Sequence, residues 1–186
     1  MDRMHDVPPA GNDTVTAAWQ DVISAVRSQP RSQDRVRTYP ALTVWQPWVW
    51  AILHGKDVEN RPWAPARPPG TVVLHAGARQ DTEAVPVLED IVGGPLPRSA
   101  FTTGLLALVD ITEIHHASDC RPHGYCSPWA ASSGYHWTLN APRALPTPIP
   151  ARGRQRLWHL TIDQHASVQT QLDTVRPLSP PHGPGA

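Results

Sequence analysis

Apolar residues fall in short, closely spaced blocks, each ended by proline, glycine or a polar cluster. The first block, Thr14 to Ser28, puts Trp19, Val22, Ile23 and Val26 on the i, i+3, i+4, i+7 positions of an amphipathic helix. Gln29 to Thr38 is polar and arginine-rich, so residues 1–38 read as an accessory helix and linker. The core begins near Tyr39. Ala41 to Trp45 predicts a short strand, and Pro47 is placed to open a helix that Gly55 ends, with Trp48 assigned to the core. Asp57 to Arg61 predicts a strand and Pro62 to Gly70 a proline-rich loop. Thr71 to Ala76, β-branched and apolar, predicts a strand buried on both faces. Thr82 to Val92 reads as a helix that Pro86 kinks or delays. Gly104 to Ile114 is the longest predicted strand, and His136 to Leu139 and Arg156 to Asp163 are two more. Residues 39–165 then make one domain, and 166–186 a disordered Pro/Gly-rich tail. The fold class is α+β: a small β-barrel of about five to six short strands with packed helices.

The 186 residues suffice for one domain with a real core, and 22 prolines with 12 glycines favour turns over long helices. No run approaches the ~18 apolar residues of a membrane span, which excludes a membrane partner. Met1 to Asn12 has no apolar segment of the secretory kind, so the expected location is cytoplasmic. A net charge of zero argues against nonspecific nucleic-acid binding, which draws its affinity from neutralised phosphates. The distribution is uneven, however. Between Cys120 and Ile162 there is no Asp or Glu, while Arg121, Arg143, Arg152, Arg154 and Arg156 lie there. They make either a basic face or a scatter of loop arginines.

Fifteen of the sixteen Lys and Arg residues are arginine, and the single lysine is Lys56. It lies in His54-Gly55-Lys56-Asp57-Val58-Glu59-Asn60-Arg61. A compact ammonium offers a point charge for phosphate, or a proton acceptor if burial lowers its pKa. Glu59 can accept from a base's amine, hold Lys56 charged or activate water, and the Arg61 fork suits phosphate or carboxylate. The structural alternative is an ion pair pinning a loop. In an ideal strand Lys56 and Glu59 face opposite sides, so they converge only if the chain bends near Gly55. Trp45, Trp48, Trp50 and Trp63 crowd this segment, as a platform for single-stranded nucleic acid requires. Trp63, in the proline-rich loop, is the candidate to stack on a base, whereas Trp137 and Trp158 are read as core. His75 either reaches the cleft or is a satisfied core histidine.

Ala41-Leu42-Thr43-Val44-Trp45-Gln46-Pro47-Trp48, Trp50-Ala51-Ile52 and Gly55 to Trp63 together resemble the opening of ASCH (activating signal cointegrator homology) domains, of the PUA-like superfamily. Lys56, Glu59 and Arg61 match the family motif G-x-K-x-x-E-x-R, while His54 holds its leading glycine position and Gly55 follows. Val73-Leu74-His75-Ala76 is similar to the family's second-strand segment. Gly134-Tyr135-His136-Trp137, Pro150-Ala151-Arg152-Gly153 and Leu157-Trp158 are similar to its closing portion, so the resemblance spans Pro40 to Asp163. It implies a PUA-like barrel with a cleft that receives RNA or a nucleobase. The binding residues would be Lys56, Glu59, Arg61, Trp63, His75, Arg152 and Arg154, and the partner RNA, other single-stranded nucleic acid or a modified nucleoside.

It also implies an alternative, a hydrolase acting on RNA or on a nucleoside amide, with Lys56 and Glu59 catalytic. Some ASCH proteins cleave N4-acetylcytidine with a lysine, a threonine and a glutamate. Glu59 stands where their motif threonine would fall, which weakens the amidohydrolase reading. A third possibility is a protein-interaction domain.

His115, His116, Cys120, His123 and Cys126 form a second constellation around a C-x2-H-x2-C run. The expected metal complement is none, because paired C-x2-C knuckles are lacking. Were zinc to bind, the candidate ligands are His116, Cys120, His123 and Cys126. A disulfide is disfavoured by a cytoplasmic location.

Overall fold

Val72, Val73 and Leu74 are consecutive and all fully buried, a pattern open only to a strand covered on both faces. They lie at the centre of a mixed sheet. The computed structural model describes residues 38–120 and 124–175, all within one unit that starts at Thr38. The strands are β1 (Pro40–Gln46), β2 (Val58–Arg61), β3 (Gly70–Gln80), β4 (Gly104–His116), β5 (Tyr135–Ile149) and β6 (Leu157–His159). The helices are α1 (Trp48–Leu53), α2 (Ala84–Val92), α3 (Ala117–Cys120) and α4 (Ile162–Val175), with a short 3-10 helix at Arg98–Phe101. The sheet order is β2-β5-β4-β3-β1-β6. Only β1 and β3 run parallel; the other neighbours are antiparallel.

Alternation along the central strands sorts their side chains onto two faces. Leu42, Val44, Val72, Leu74 and Val109 pack with Val49 and Ile52 of α1 on one face. Ala41, Val73 and Leu108 pack with Trp158 and with Val168 of α4 on the other. Among the described residues, no helix is long and apolar enough to cross a membrane.

The α+β class stands, but the closed barrel does not: the strand order has two ends, β2 and β6. Strand β5 runs ten residues past the expected Leu139, through Pro142, Pro146 and Pro148. Those prolines are tolerated because all three fall at register shifts of the β4–β5 ladder, where a missing N–H costs no ladder bond. Past Thr138 no strand other than β4 pairs with β5, and Thr147 bonds instead to Gln171 of α4, its N–H donating to Oε1 (2.8 Å) and its carbonyl accepting from Nε2 (3.0 Å).

The block at Arg156 to Asp163 contains only a three-residue strand. Helix α4 follows and takes in residues 166–175, which were expected to belong to the disordered tail. A capping box starts it: Gln164 N–H donates to Thr161 Oγ1 (3.2 Å), and Thr161 N–H donates to Gln164 Oε1 (3.1 Å). Val168 and Leu172, one turn apart, then dock it on the sheet. Helix α2 starts at Ala84, which leaves Pro86 in the first turn where no intrahelical N–H is needed. The expected helix at Thr14 to Ser28, its linker and the chain beyond Val175 lie outside the described residues.

Leu74→Ala should cost about 2–5 kcal/mol in urea-induced unfolding through the cavity it leaves. Val87→Ala, on the exposed side of α2, should stay within about 0.5 kcal/mol.

Candidate functional site

Helix α1 ends at Leu53, and Gly55 takes a left-handed turn (φ +111°). Lys56 N–H then bonds back to the Ala51 carbonyl (2.9 Å). Lys56 therefore precedes β2 and escapes the strand alternation that would have turned it from Glu59. Its Nζ donates to Glu59 Oε2 at 2.9 Å and to the Val58 carbonyl. Glu59 and Arg61 share a face of β2, and Arg61 Nε lies 3.1 Å from Glu59 Oε1. Arg61 Nη2 continues to the Thr43 carbonyl on β1 (2.7 Å). The motif thus forms a chain of charge from the α1 turn across to β1. Lys56 is only 4% exposed and Glu59 is buried as well, so each ion relies on the others for solvation.

This chain floors a cavity of about 540 Å³ walled by Trp45, Trp48, Trp63 and Trp129. Trp48, expected in the core, is only partly buried. Its indole N–H donates to Asp81 Oδ2 (3.0 Å), and Lys56 Nζ lies 5.3 Å from its ring centre. Trp63 meets the cavity as expected. One edge packs at 84° on buried Trp137 (centroids 4.8 Å), and Arg156 lies 5.3 Å from its ring centre. The charged lining residues are Lys56, Arg61, Glu59 and Asp81, so the cavity is electrically balanced.

A second cavity, also about 540 Å³, lies on the other side of Trp45. Arg79, Arg152, Arg154 and His75 line it, and no carboxylate does. Trp45 is 42% exposed, and the Arg79 guanidinium sits 3.8 Å from its ring centre. Thr43 stands between the two spaces. Its carbonyl takes Arg61, while its hydroxyl accepts from Arg154 N–H (3.2 Å) and Trp158 Nε1 (3.1 Å). His75 is buried, with Nε2 3.1 Å from the Ala151 carbonyl. Gly153 is required beside it, because a Cβ there would fall 2.7 Å from His75 Cε1. Burial pushes the His75 imidazole below its ordinary 6.5, opposed by its bond to Ala151.

The expected binding residues therefore divide: Lys56, Glu59, Arg61 and Trp63 share the tryptophan cavity, and His75, Arg152 and Arg154 share the arginine cavity. Arg143 joins neither, being paired with Asp110 (3.0 Å).

Sequence reasoning missed Trp129, Asn60, Asp81 and Arg79. Asn60 lies inside the motif and clamps the opposite loop: its Nδ2 donates to the Trp129 carbonyl (2.8 Å), and its Oδ1 accepts from Ala131 N–H (2.9 Å). Its place beside Glu59 and Arg61 was the available signal. Trp129 had none, standing some seventy residues from the motif in a Ser/Pro-rich loop.

At the far end of β4, His115, Cys120, Cys126 and His136 bring their ligating atoms within 4.8 Å of one another. Of the expected ligands, Cys120 and Cys126 are among them and His116 is not. His115 and His116 are neighbours on a strand and face opposite ways, and His116 bonds to Ser118 Oγ (2.8 Å) and packs on Tyr135. His123 lies outside the described residues. His136, read as part of a strand, takes a place in the cluster instead. The Cys126 thiol is pushed up to about 11, by desolvation first and by the adjoining Cys120 second.

No protein-family model matches the chain, and no match is found among curated proteins.

Lys56→Ala should lower stability by about 3 kcal/mol in urea titration, because the buried Glu59 carboxylate and the Val58 carbonyl lose a donor. Since folding depresses the His75 pKa, the unfolded chain binds a proton that the folded chain refuses. This contribution is whole above 6.5 and is lost as pH falls from there toward the depressed folded value. Tm should fall with acidification through that window, and His75→Gln should flatten the dependence.

Proposed function

We propose that this protein is an ASCH-type domain, its open sheet a variant of the PUA-like barrel, that binds RNA or other single-stranded nucleic acid. One base enters the tryptophan cavity around Lys56, Glu59 and Arg61, and the adjoining phosphates lie on Arg79, Arg152 and Arg154. The observation that carries this reading is the adjacency of two unlike cavities across Trp45, one aromatic and charge-balanced, the other lined by arginines without a carboxylate. A base needs flat apolar walls and a few polar groups on its edge, and stacking tolerates base identity. A phosphate needs uncompensated cations. A nucleotide has both needs side by side. Localisation in the cytoplasm belongs to the same reading.

A hydrolytic role for the same cleft draws support from the convergence of Lys56 and Glu59 at 2.9 Å. Against it, both Glu59 oxygens are already engaged by cations within the buried ion chain, so neither stands open to a substrate. Zinc held by the Cys/His cluster would be structural in either reading.

Single-stranded RNA should quench tryptophan fluorescence on binding, and Trp45→Ala should cost about 1–3 kcal/mol of affinity. Arg79→Ala should reduce the slope of log K against log salt by roughly 0.7. Product from RNA or acetylcytidine that disappears in Lys56→Ala would move the assignment to hydrolase. Absence of binding to RNA, single-stranded DNA and mononucleotides at low salt would sink the nucleic-acid reading.

A further inference from the structure

Cys120 Sγ lies 3.0 Å from His115 Nε2 and 3.4 Å from His136 Nδ1, and Cys126 Sγ lies 3.4 Å from the same Nδ1. A zinc ion at about 2.3 Å from sulfur and about 2.0–2.1 Å from nitrogen sets tetrahedral S···N edges of roughly 3.6 Å. The four side chains already stand close to that spacing, drawn from the end of β4 (His115), α3 (Cys120), the following loop (Cys126) and the start of β5 (His136).

An outer contact orients one of the imidazoles for the same purpose. His136 Nε2 faces the Ala131 carbonyl at 2.8 Å, which can only accept, so the proton sits on Nε2 and Nδ1 turns a lone pair to both sulfurs. His115 Nδ1 lies 3.4 Å from the Glu113 carboxylate without a hydrogen bond, and the ring turns Nε2 toward Cys120. Two thiols, Cys120 and Cys126, thus converge on two imidazole nitrogens, His115 Nε2 and His136 Nδ1. One cation can take the place of the two thiol protons, and two thiolates with two neutral imidazoles balance a divalent charge.

We infer that His115, Cys120, Cys126 and His136 form a closed structural zinc site. Soft sulfur with imidazole in a tetrahedral set selects zinc over magnesium or calcium, and four protein ligands leave no open position for chemistry. The inference is independent of any nucleic-acid role. The site also closes the segment from Cys126 to His136, which carries Trp129.

The test uses the full-length chain, reduced and stripped of metal, titrated with cobalt(II) and then zinc. One cobalt per chain should bind with the intense visible bands of a tetrahedral site and a thiolate charge-transfer band, and zinc should displace it. Cys126→Ser, at the exposed corner of the site, should lose the charge-transfer intensity. It should also weaken zinc binding by more than the roughly 10–100-fold that loss of an outer partner costs. His116→Ala should leave the spectrum unchanged. A reduced protein that gives no tetrahedral cobalt spectrum, or a Cys126→Ser variant that keeps the wild-type one, overturns the assignment.

Discussion

The buried chain of charge from Lys56 through Glu59 and Arg61 to the Thr43 carbonyl is the constraint on which the cleft depends. Burying ions is expensive, and the cost is offset only when every charge has a partner in good geometry. Here one carboxylate faces two cations, and each cation donates one further bond to a backbone carbonyl. The arrangement ties the turn after α1 to β2 and β2 to β1, although those strands are not hydrogen-bonded neighbours. The cavity floor is consequently stiff. Its walls, being tryptophans held by single hydrogen bonds or edge contacts, have more freedom.

Charge is partitioned across Trp45 in a way that net charge conceals. The chain is neutral as a whole, and the tryptophan cavity is neutral too, yet the neighbouring space collects arginines from β3 and from the segment before β6. The carboxylate-free stretch after Cys120 contributes two of them, Arg152 and Arg154, while Arg143 from the same stretch is spent on Asp110. A basic run in sequence thus becomes a basic surface only where the fold brings no acid to meet it.

Much of the frame was legible because it rests on local rules. The strand at β1, the turn at Gly55 and the buried strand at β3 follow from periodicity, turn chemistry and β-branched runs. The failures share a cause, dependence on distant partners. Whether β5 could continue through three prolines depended on where its ladder with β4 shifts register. The end of the domain was misplaced because α4 has few apolar residues, although Thr161 and Gln164 carry a capping signature. In the site, Lys56, Glu59 and Arg61 were visible as a motif. The choice between His115 and His116 turned on strand phase, and His136 entered the Cys/His cluster only through the pairing of β4 with β5, which sets it opposite His115.

Strand β1 has a further consequence. β6 covers only Pro40 to Leu42, so Thr43 to Gln46 leave one side of the strand without a strand partner. Bare strand edges invite another chain to pair with them, the first step in edge-to-edge aggregation. In this protein Arg61 occupies the Thr43 carbonyl, an acceptor no longer open to an approaching backbone. A group that shapes the cleft therefore also acts as a guard on the sheet. A substitution that opened the cleft by removing Arg61 would expose a sticky edge in the same stroke, which ties the shape of the cleft to the solubility of the fold.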